Sequence, residues 1–391
     1  MKYQRELYTR ILSDFDKDMR VMVIFGPRRA GKTTLLRDIH AHYESAFRVR
    51  YVTGDDLAVR SGLSRQNAQV LRSFIGIDTT LLLIDEAQMI PEIGLALKLL
   101  HDTYAVNGGA LKIVVTGSSS FALAGQIREP LVGRAWTYFM GTIGVTEYLD
   151  SEPWHLGEVR SQLLQYGSYP EVLTASAEDK RKTLLEIVNG YVYKDILLFE
   201  GQKNAQFVTR LLQLLAFQIG QEVSINELCV KLERSKTIVE KYLWLLQEAF
   251  IIVPIMSFSR NLRNEISKKR KYYFWDVGIR NGLIDSFADM DLRADKGALW
   301  ENYLIIERLK HDPISSLSKL SQGYFWRTYE GQEIDWIEER DGVCYLYEVK
   351  WVNTKSSRAS TAFRVFEREY SPAVAQVVSL ENALDFVTHR I

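Results

Sequence analysis

The sequence predicts an α/β protein: an N-terminal doubly wound parallel sheet, a helical middle region, and a second, smaller α/β domain. Three observations predict this class. The apolar run VMVIF leads directly into GPRRAGKTT, residues 26–34. A helix-break-helix pattern and two apolar strands occupy residues 224–276. Near the C-terminus, an acidic residue precedes a Glu-x-Lys strand by about a dozen positions. Strands that alternate with helices favour a parallel sheet with helices on its faces.

Composition limits the possible partners. The chain has 391 residues and a formal net charge of +0, so any nucleic-acid surface is expected to be a local patch. Cys229 and Cys344 lie far apart, which excludes a disulfide framework and a cysteine metal motif and fits a reducing, cytoplasmic setting. No apolar stretch has the length of a membrane span, and MKYQRELYTR does not resemble a signal peptide. We therefore expect a cytoplasmic protein with no membrane partner.

The first motif is a phosphate-binding loop. GPRRAGKT fits G-x-x-x-x-G-K-[ST], between a predicted strand, Val21–Phe25, and a helix from Thr33 onward. Gly26 and Gly31 permit a tight loop whose N–H groups face phosphate oxygens, next to a helix N-terminus. Lys32 is expected to reach the β- and γ-phosphates of ATP, and Thr33 to ligate Mg²⁺. The predicted nucleotide-binding residues of this loop are Gly26, Pro27, Arg28, Arg29, Ala30, Gly31, Lys32, Thr33 and Thr34.

An acidic pair ends the next apolar strand, LLLI at residues 81–84. Asp85 is expected to hold the Mg²⁺ shell, and Glu86 to orient or deprotonate the attacking water, which makes Glu86 and Lys32 the predicted catalytic pair. The alternative, that two acids simply solvate a strand end, fits poorly beside a complete phosphate-binding loop. The strand KIVVTG ends near Thr116, which either senses the γ-phosphate or belongs to a Gly- and Ser-rich turn.

Two further features complete the N-terminal region. RVRYVTGDD, residues 48–56, is a plausible additional strand of a sheet that binds its ligand at the carboxyl ends of the strands. Arg134 directly precedes an aromatic strand and is a candidate arginine finger, in cis or in trans. A plain surface arginine is the alternative for this position.

The middle region predicts helices followed by a winged helix. Residues 158–220 carry helical periodicity, and SINE, residues 224–227, is a capping box that starts a short helix. A second helix is expected from Ser235 through Gln247, and FIIVPI and KYYFWD are expected to form a hairpin wing. The loop between those strands carries six basic residues, namely Arg260, Arg263, Lys268, Lys269, Arg270 and Lys271. With Lys236 and Lys241, this loop predicts DNA contact, non-specific rather than sequence-specific, although winged helices also act as lids or protein contacts.

The C-terminal third predicts a nuclease-like constellation. A helix at 297–310 bears Glu301, and strands at 323–326, 333–338 and 343–349 carry Asp335 and then Glu348-Val349-Lys350. This pattern is typical of the PD-(D/E)xK nuclease fold. Asp335 and Glu348 are expected to share a Mg²⁺, and Lys350, on the same strand face as Glu348, to stabilise the developing charge. The alternatives are an exposed strand with no such role, or the same fold without cleavage.

Several segments together carry a family resemblance. GPRRAGKTT, LLLIDEAQ, VVTGSSS, GRAWTYFMG, YPEVL, KKRKYYFWDVGIRNGL, FWRTYEGQEIDWI and YLYEVKW, in this order, resemble a family of bacterial and archaeal AAA-type P-loop ATPases with a poorly characterised C-terminal region. The resemblance covers nearly the whole chain and implies ATP binding and hydrolysis, without fixing a cellular role.

These inferences predict three domains: a P-loop ATPase domain at 1–155, a helical and winged-helix domain at 156–290, and a nuclease-like domain at 291–391. The leading hypothesis is a Mg²⁺-dependent, ATP-hydrolysing switch that contacts DNA. One alternative is an ATP-regulated nuclease in which Asp335, Glu348 and Lys350 act. The other is an adaptor that binds nucleotide without turnover. A homo-oligomer or a protein partner remains open.

Overall fold

The computed structural model describes residues 3–106, 110–118, 129–151, 156–192, 204–259, 270–311, 323–328, 330–352 and 361–388. Its contacts divide the chain into two compact units, Met1–Pro153 with Glu248–Phe250, and Trp154–Gln247 with Ile251–Ile391. Four predicted DNA-contacting residues, Arg260, Arg263, Lys268 and Lys269, lie outside the described ranges. Among the helices of the described ranges, none has the length and apolarity needed to cross a membrane.

The first unit contains a five-stranded parallel sheet in the order β2-β3-β4-β1-β5. Its strands are β1 (Val21–Phe25), β2 (Val49–Thr53), β3 (Leu81–Asp85), β4 (Lys112–Gly117) and β5 (Ala135–Phe139). Its helices are α1 (Glu6–Phe15), α2 (Lys32–Tyr43), α3 (Leu57–Leu63), α4 (Ala68–Ile75), α5 (Ile93–Val106) and α6 (Val145–Ser151). This architecture confirms the α/β class with a parallel sheet for the N-terminal region.

The core of this unit explains why the sheet forms where the sequence predicts it. Every residue of β1 and of β3 is buried, as expected for parallel strands that are covered on both faces. The apolar face of α2, with Leu35, Leu36 and Ile39, packs in one cluster with Met22 and Ile24 of β1. Burial of this face fixes α2 against the sheet and places the loop between β1 and α2 at the carboxyl edge of the strands.

The second unit contains a seven-stranded sheet in the order β12-β11-β10-β9-β7-β8-β6. Its strands are β6 (Glu222–Val223), β7 (Ile252–Ser257), β8 (Arg270–Phe274), β9 (Gly323–Arg327), β10 (Glu333–Arg340), β11 (Val343–Val349) and β12 (Ala373–Val378). Its helices are α7 (Leu156–Tyr166), α8 (Pro170–Thr174), α9 (Lys180–Ile187), α10 (Ala205–Phe217), α11 (Ile225–Leu232), α12 (Lys236–Glu248), α13 (Val277–Leu283), α14 (Lys296–Lys310), α15 (Thr361–Tyr370) and α16 (Ala383–Thr388). Mixed strand directions and helices make this unit α/β as well.

The structure contains the elements that the winged-helix prediction requires. Ser224 caps α11 by accepting a hydrogen bond from the backbone N–H of Glu227 at 3.3 Å. Glu233, in the left-handed region with φ 53°, ends α11 before α12 begins. Strands β7 and β8 then pair as an antiparallel hairpin. The assignment of these elements to the winged-helix class stays a prediction.

The hairpin also joins the C-terminal strands. Met256 and Ser257 of β7 pair in parallel with Tyr324 and Phe325 of β9, so residues on both sides of position 290 share one sheet. The three-domain division and the nuclease class of the C-terminal strands stay predictions. This shared sheet is the reason why the middle and C-terminal regions form one compact unit.

Candidate functional site

The loop between β1 and α2 closes against the segment that follows β5. A Cβ atom on Gly26 would lie 2.0 Å from the carbonyl oxygen of Met140, so only glycine fits this approach. Gly31, with φ 100°, is the N-cap of α2 and offers no side chain to the N–H groups of the first turn. These N–H groups, at the positive end of the helix, suit an anionic ligand such as a phosphate.

Lys32 brings a positive charge to the same loop. Its ammonium donates to the carbonyl oxygens of Gly26 at 2.8 Å and Pro27 at 2.7 Å, and the residue is buried. The remaining predicted loop residues lie in the same turn: Arg28 is partly buried, Arg29 exposed, Ala30 buried and Thr34 exposed on the first turn of α2.

Arg5, which the sequence does not single out, anchors the loop. Its guanidinium, only 4% exposed, donates to the carbonyl oxygens of Ala30 at 2.8 Å and Gly141 at 2.7 Å. Its Nε donates to the carboxylate of Glu147 at 3.0 Å. The planar fork of an arginine side chain makes these divergent contacts at once, which a lysine cannot do. No local pattern around position 5 signals this role, because its partners lie in distant segments.

Asp85 lies at the centre of a hydroxyl-rich cluster at the end of β3. Its Oδ2 accepts hydrogen bonds from Thr33 at 2.6 Å and Tyr51 at 3.1 Å, and its Oδ1 from Thr116 at 2.5 Å. Burial, and then the negative charge of Asp85, raise the pKa of Tyr51 to about 12, so its hydroxyl stays a donor. A threonine hydroxyl beside a carboxylate is a donor set that Mg²⁺ accepts. The residues present therefore fit Mg²⁺ together with a phosphate ligand.

Glu86 follows directly and is held in a defined orientation. Its backbone adopts φ 48°, in the left-handed region, and its N–H donates to Asp85 Oδ1 at 3.1 Å. The amide of Gln88 donates to the Glu86 carboxylate and, at 2.9 Å, to Ser118 Oγ. Tyr51 and Gln88 were not among the predicted site residues. The structure thus gathers Thr33, Asp85, Glu86 and Thr116 at one edge of the sheet.

The predicted role of Arg134 in its own nucleotide site is wrong. Its carbonyl oxygen accepts from the N–H of Val21, and the adjacent Ala135 pairs with Val21, the first residue of β1. The phosphate-binding loop follows Phe25, the last residue of β1, and therefore lies at the opposite edge of the parallel sheet. The Arg134 guanidinium instead pairs with Asp102 at 2.7 Å. A contribution of Arg134 in trans stays a prediction.

The structure places Asp335 on β10, Glu348 on β11 and Lys350 directly after β11. The N–H of Val349 donates to Asp335 Oδ2 at 2.8 Å, and Lys350 pairs with Glu348 at 2.6 Å. Burial, and then the negative charge of Glu301, raise the pKa of Asp335 to about 8 against the opposing effect of Lys271.

The sequence assigned Lys271 to the basic loop, and the structure buries it instead. Its ammonium lies 2.9 Å from Glu301 and 2.5 Å from Glu333, while its side chain is 0% exposed. We call Glu301, Glu333 and Asp335 the carboxylate cluster. Among the residues that the structure describes, no three His, Cys, Asp or Glu side chains are placed to hold a metal ion. The Mg²⁺ site that the sequence predicts at Asp335 and Glu348 stays a prediction. In the carboxylate cluster, the Lys271 ammonium already pairs with Glu301 and Glu333.

Comparisons with known proteins cover all three regions of the chain. Residues 18–149 match the model of an AAA domain. Residues 158–289 and 296–389 match two domains of unknown function, DUF8612 and DUF4143. The AAA match contains the phosphate-binding loop, Asp85, Glu86 and Thr116.

Similar proteins occur in different bacteria. An uncharacterised protein of Mycobacterium tuberculosis is 26% identical over 345 residues, covering 86% of this chain and 71% of that protein. An uncharacterised protein of Haemophilus influenzae is 25% identical over 367 residues, covering 88% of this chain and 85% of that protein. Among solved structures, the Walker-type ATPase of Pyrococcus abyssi shares the fold, with a TM-score of 0.51, 16% identity and coverage of 72% of this chain and 96% of that one. Residues 18–149 thus match an AAA domain, and the chain shares its fold with a Walker-type ATPase.

Proposed function

We propose that the first unit binds ATP with Mg²⁺ and hydrolyses it. The observation that carries this proposal is the hydrogen bond between Thr33 and Asp85, beside a loop whose closure needs Gly26 and which holds the Lys32 ammonium. In this arrangement the N–H groups of the loop and Lys32 bind the phosphates. Thr33 and Asp85 hold the metal ion, which supplies neutralisation of the phosphate charge when it is bound.

Residues around the end of β3 activate the water and orient Asp85. Glu86, oriented by Gln88, accepts a proton from the attacking water. Thr116 holds Asp85 from the side opposite Thr33 and Tyr51, because it bonds the other carboxylate oxygen. A carboxylate that is fixed on both oxygens keeps its orientation through the catalytic cycle, which lowers the cost of organising the metal shell.

The proposal is tested by steady-state ATP hydrolysis with Mg²⁺ and by equilibrium nucleotide binding. We expect Lys32→Ala to abolish ATP binding, and Glu86→Gln to bind ATP without turnover. Glu44→Gln, at an exposed acid of the same unit, is the matched control and should behave as the wild type. Normal ATP turnover in Glu86→Gln would contradict the assignment of Glu86 as the proton acceptor. Tight nucleotide binding by a wild type that lacks turnover would favour the adaptor instead.

We extend the proposal to nucleotide-dependent contact with DNA through α12. This helix exposes Lys236 and Lys241, and Lys236 pairs only weakly with Glu240, at 3.8 Å. Trp244, on the same helix, is 42% exposed and offers a flat surface to a sugar or base. Exposed lysines neutralise phosphates and give affinity that falls with salt.

DNA contact is tested by fluorescence anisotropy of a labelled duplex at two salt concentrations, with and without ATP. We expect Lys236→Glu combined with Lys241→Glu to weaken binding about tenfold or more and to flatten the salt dependence. Lys182→Glu, at an exposed lysine of the same unit, is the control. A DNA affinity that is equal in all three proteins would remove α12 from the interface. A DNA affinity that is the same with and without ATP would contradict nucleotide-dependent DNA contact.

A further inference from the structure

Lys271 is a buried cation in the part of the second unit where the hairpin and the C-terminal strands share a sheet. It lies on β8, and its ammonium is within 2.9 Å of Glu301 on α14 and 2.5 Å of Glu333 on β10. The ring centroid of Phe325 lies 5.4 Å from the same ammonium. A charge in such a setting persists only when opposite charges pair with it.

The groups around Lys271 form one connected polar cluster. Glu333 and Asp335 lie two positions apart on β10, where the pairing with β9 is irregular between Ile334 and Ile337. Burial lowers the pKa of Lys271, but the negative charges of Glu301, Asp335 and Glu333 outweigh burial and raise that pKa. Tyr273, two residues after Lys271, donates its hydroxyl hydrogen to Glu301. Two strands and one helix thus direct their polar side chains at one ammonium group.

Protein groups supply positive charge to this cluster. Arg327 lies 3.9 Å from Glu333, so Lys271 and Arg327 supply two positive charges against the carboxylates of Glu301 and Glu333. A Mg²⁺ ion needs oxygen ligands at about 2.0–2.1 Å in an octahedral shell. The ammonium of Lys271 already takes one oxygen each of Glu301 and Glu333. A metal ion would have to displace it from both.

We propose that the Lys271 ammonium is the resident cation of the carboxylate cluster, which contains Asp335, one of the two residues that the sequence predicts as Mg²⁺ ligands. The second unit accordingly does not cleave nucleic acid by a metal-dependent reaction at this cluster. Exchange of Lys271 for a neutral side chain of similar length leaves three carboxylates facing one gap. That exchange creates a divalent-cation site.

The experiment is isothermal titration of nucleotide-free, full-length protein with Mn²⁺ alone. We expect Lys271→Met to bind about one equivalent more than the wild type, with the extra site lost in Lys271→Met/Glu301→Gln. Lys310→Met is the matched control, because the Lys310 side chain is only 6% exposed and pairs with one carboxylate, Glu307, at 2.7 Å. This control should match the wild type. A folded Lys271→Met protein that gains no site overturns the proposal.

A second comparison does not depend on the folding of Lys271→Met. Wild type and Asp335→Asn are titrated with Mn²⁺ and incubated with duplex and single-stranded DNA in the presence of Mg²⁺. We expect equal Mn²⁺ stoichiometry and intact DNA in both. Metal binding or DNA cleavage that the wild type shows and Asp335→Asn loses overturns the proposal.

Discussion

The hydroxyl of Thr33 and the carboxylate of Asp85, 52 positions apart in the chain, are joined by a hydrogen bond of 2.6 Å. Thr33 lies on the first turn of α2, and Asp85 is the last residue of β3. In the sheet order, β4 separates β3 from β1. The bond forms because parallel strands end at one edge, where the helix that follows β1 begins.

The bond between Thr33 and Asp85 predicts that loss of the Asp85 charge changes the Mg²⁺ concentration needed for ATP hydrolysis. Asp85→Asn keeps the shape of the side chain but removes its negative charge. We expect the Mg²⁺ concentration for half-maximal ATP hydrolysis to rise about 100-fold, the upper end of the range for groups that tune a metal site. Asp55→Asn, at an exposed acid beyond β2, is the control. An unchanged Mg²⁺ titration in Asp85→Asn would remove Asp85 from the metal shell.

We expect the loss of the Tyr51 hydroxyl to weaken Mg²⁺ binding less than the loss of the Asp85 charge. Its hydroxyl, which is uncharged, donates a hydrogen bond to Asp85 Oδ2 at 3.1 Å. Tyr51→Phe removes this donor and leaves the ring, so we expect a loss of about 10-fold in apparent Mg²⁺ affinity. Tyr43→Phe, at a buried tyrosine of α2, should leave Mg²⁺ affinity unchanged. The measurement is the same Mg²⁺ titration of turnover, and equal curves for both variants would assign Tyr51 a packing role alone.

Arg5 predicts a link between the N-terminal segment and nucleotide affinity. Arg5→Lys keeps the charge but cannot reach Ala30, Gly141 and Glu147 together. We expect ATP to bind about 10-fold more weakly, equivalent to about 1.4 kcal/mol, with a lower Tm. Arg10→Lys, at a half-exposed arginine that pairs with Asp14, is the control in the same helix. A lower Tm with unchanged ATP affinity would mean that Arg5 stabilises the unit without positioning the loop.

Glu338 predicts the acid sensitivity of the second unit. Burial would raise its pKa, but hydrogen bonds and charge from Arg308, then Trp336 and Arg340, lower that pKa from 4.5 to about 2. A depressed folded-state pKa gives stability that is complete above pH 4.5 and is lost as the pH falls towards about 2. By linkage this amounts to about 3 kcal/mol.

The measurement is the free energy of unfolding as a function of pH. We expect Glu338→Gln to be less stable at pH 7 and to show a flatter acid limb below about pH 4.5. Glu339→Gln, at the exposed neighbour, should retain the wild-type profile. Superimposable profiles for Glu338→Gln and the wild type would contradict the role of the Arg308 pair.

Local patterns predicted the elements well. The apolar runs at β1 and β3, the glycines of the loop and the capping residue Ser224 each depend on neighbours within a few positions, and the structure forms those elements there. The joining of the hairpin to the C-terminal strands could not be predicted in this way. The strands pair there through Met256–Tyr324 and Ser257–Phe325, and neither strand carries a local pattern that identifies its partner.

The sequence by itself determined the phosphate-binding loop and the acidic pair, because G-x-x-x-x-G-K-T and Asp-Glu at strand ends carry their chemistry within a few consecutive residues. Only the tertiary structure decided which side chains surround them. It removed Arg134 from its own nucleotide site and brought Arg5 to the loop. It also buried Lys271, which the sequence assigns to a basic surface, against partly exposed carboxylates. The physical reason is that the environment of a charge is set by residues distant in the chain, whereas the geometry of a turn is set by its neighbours.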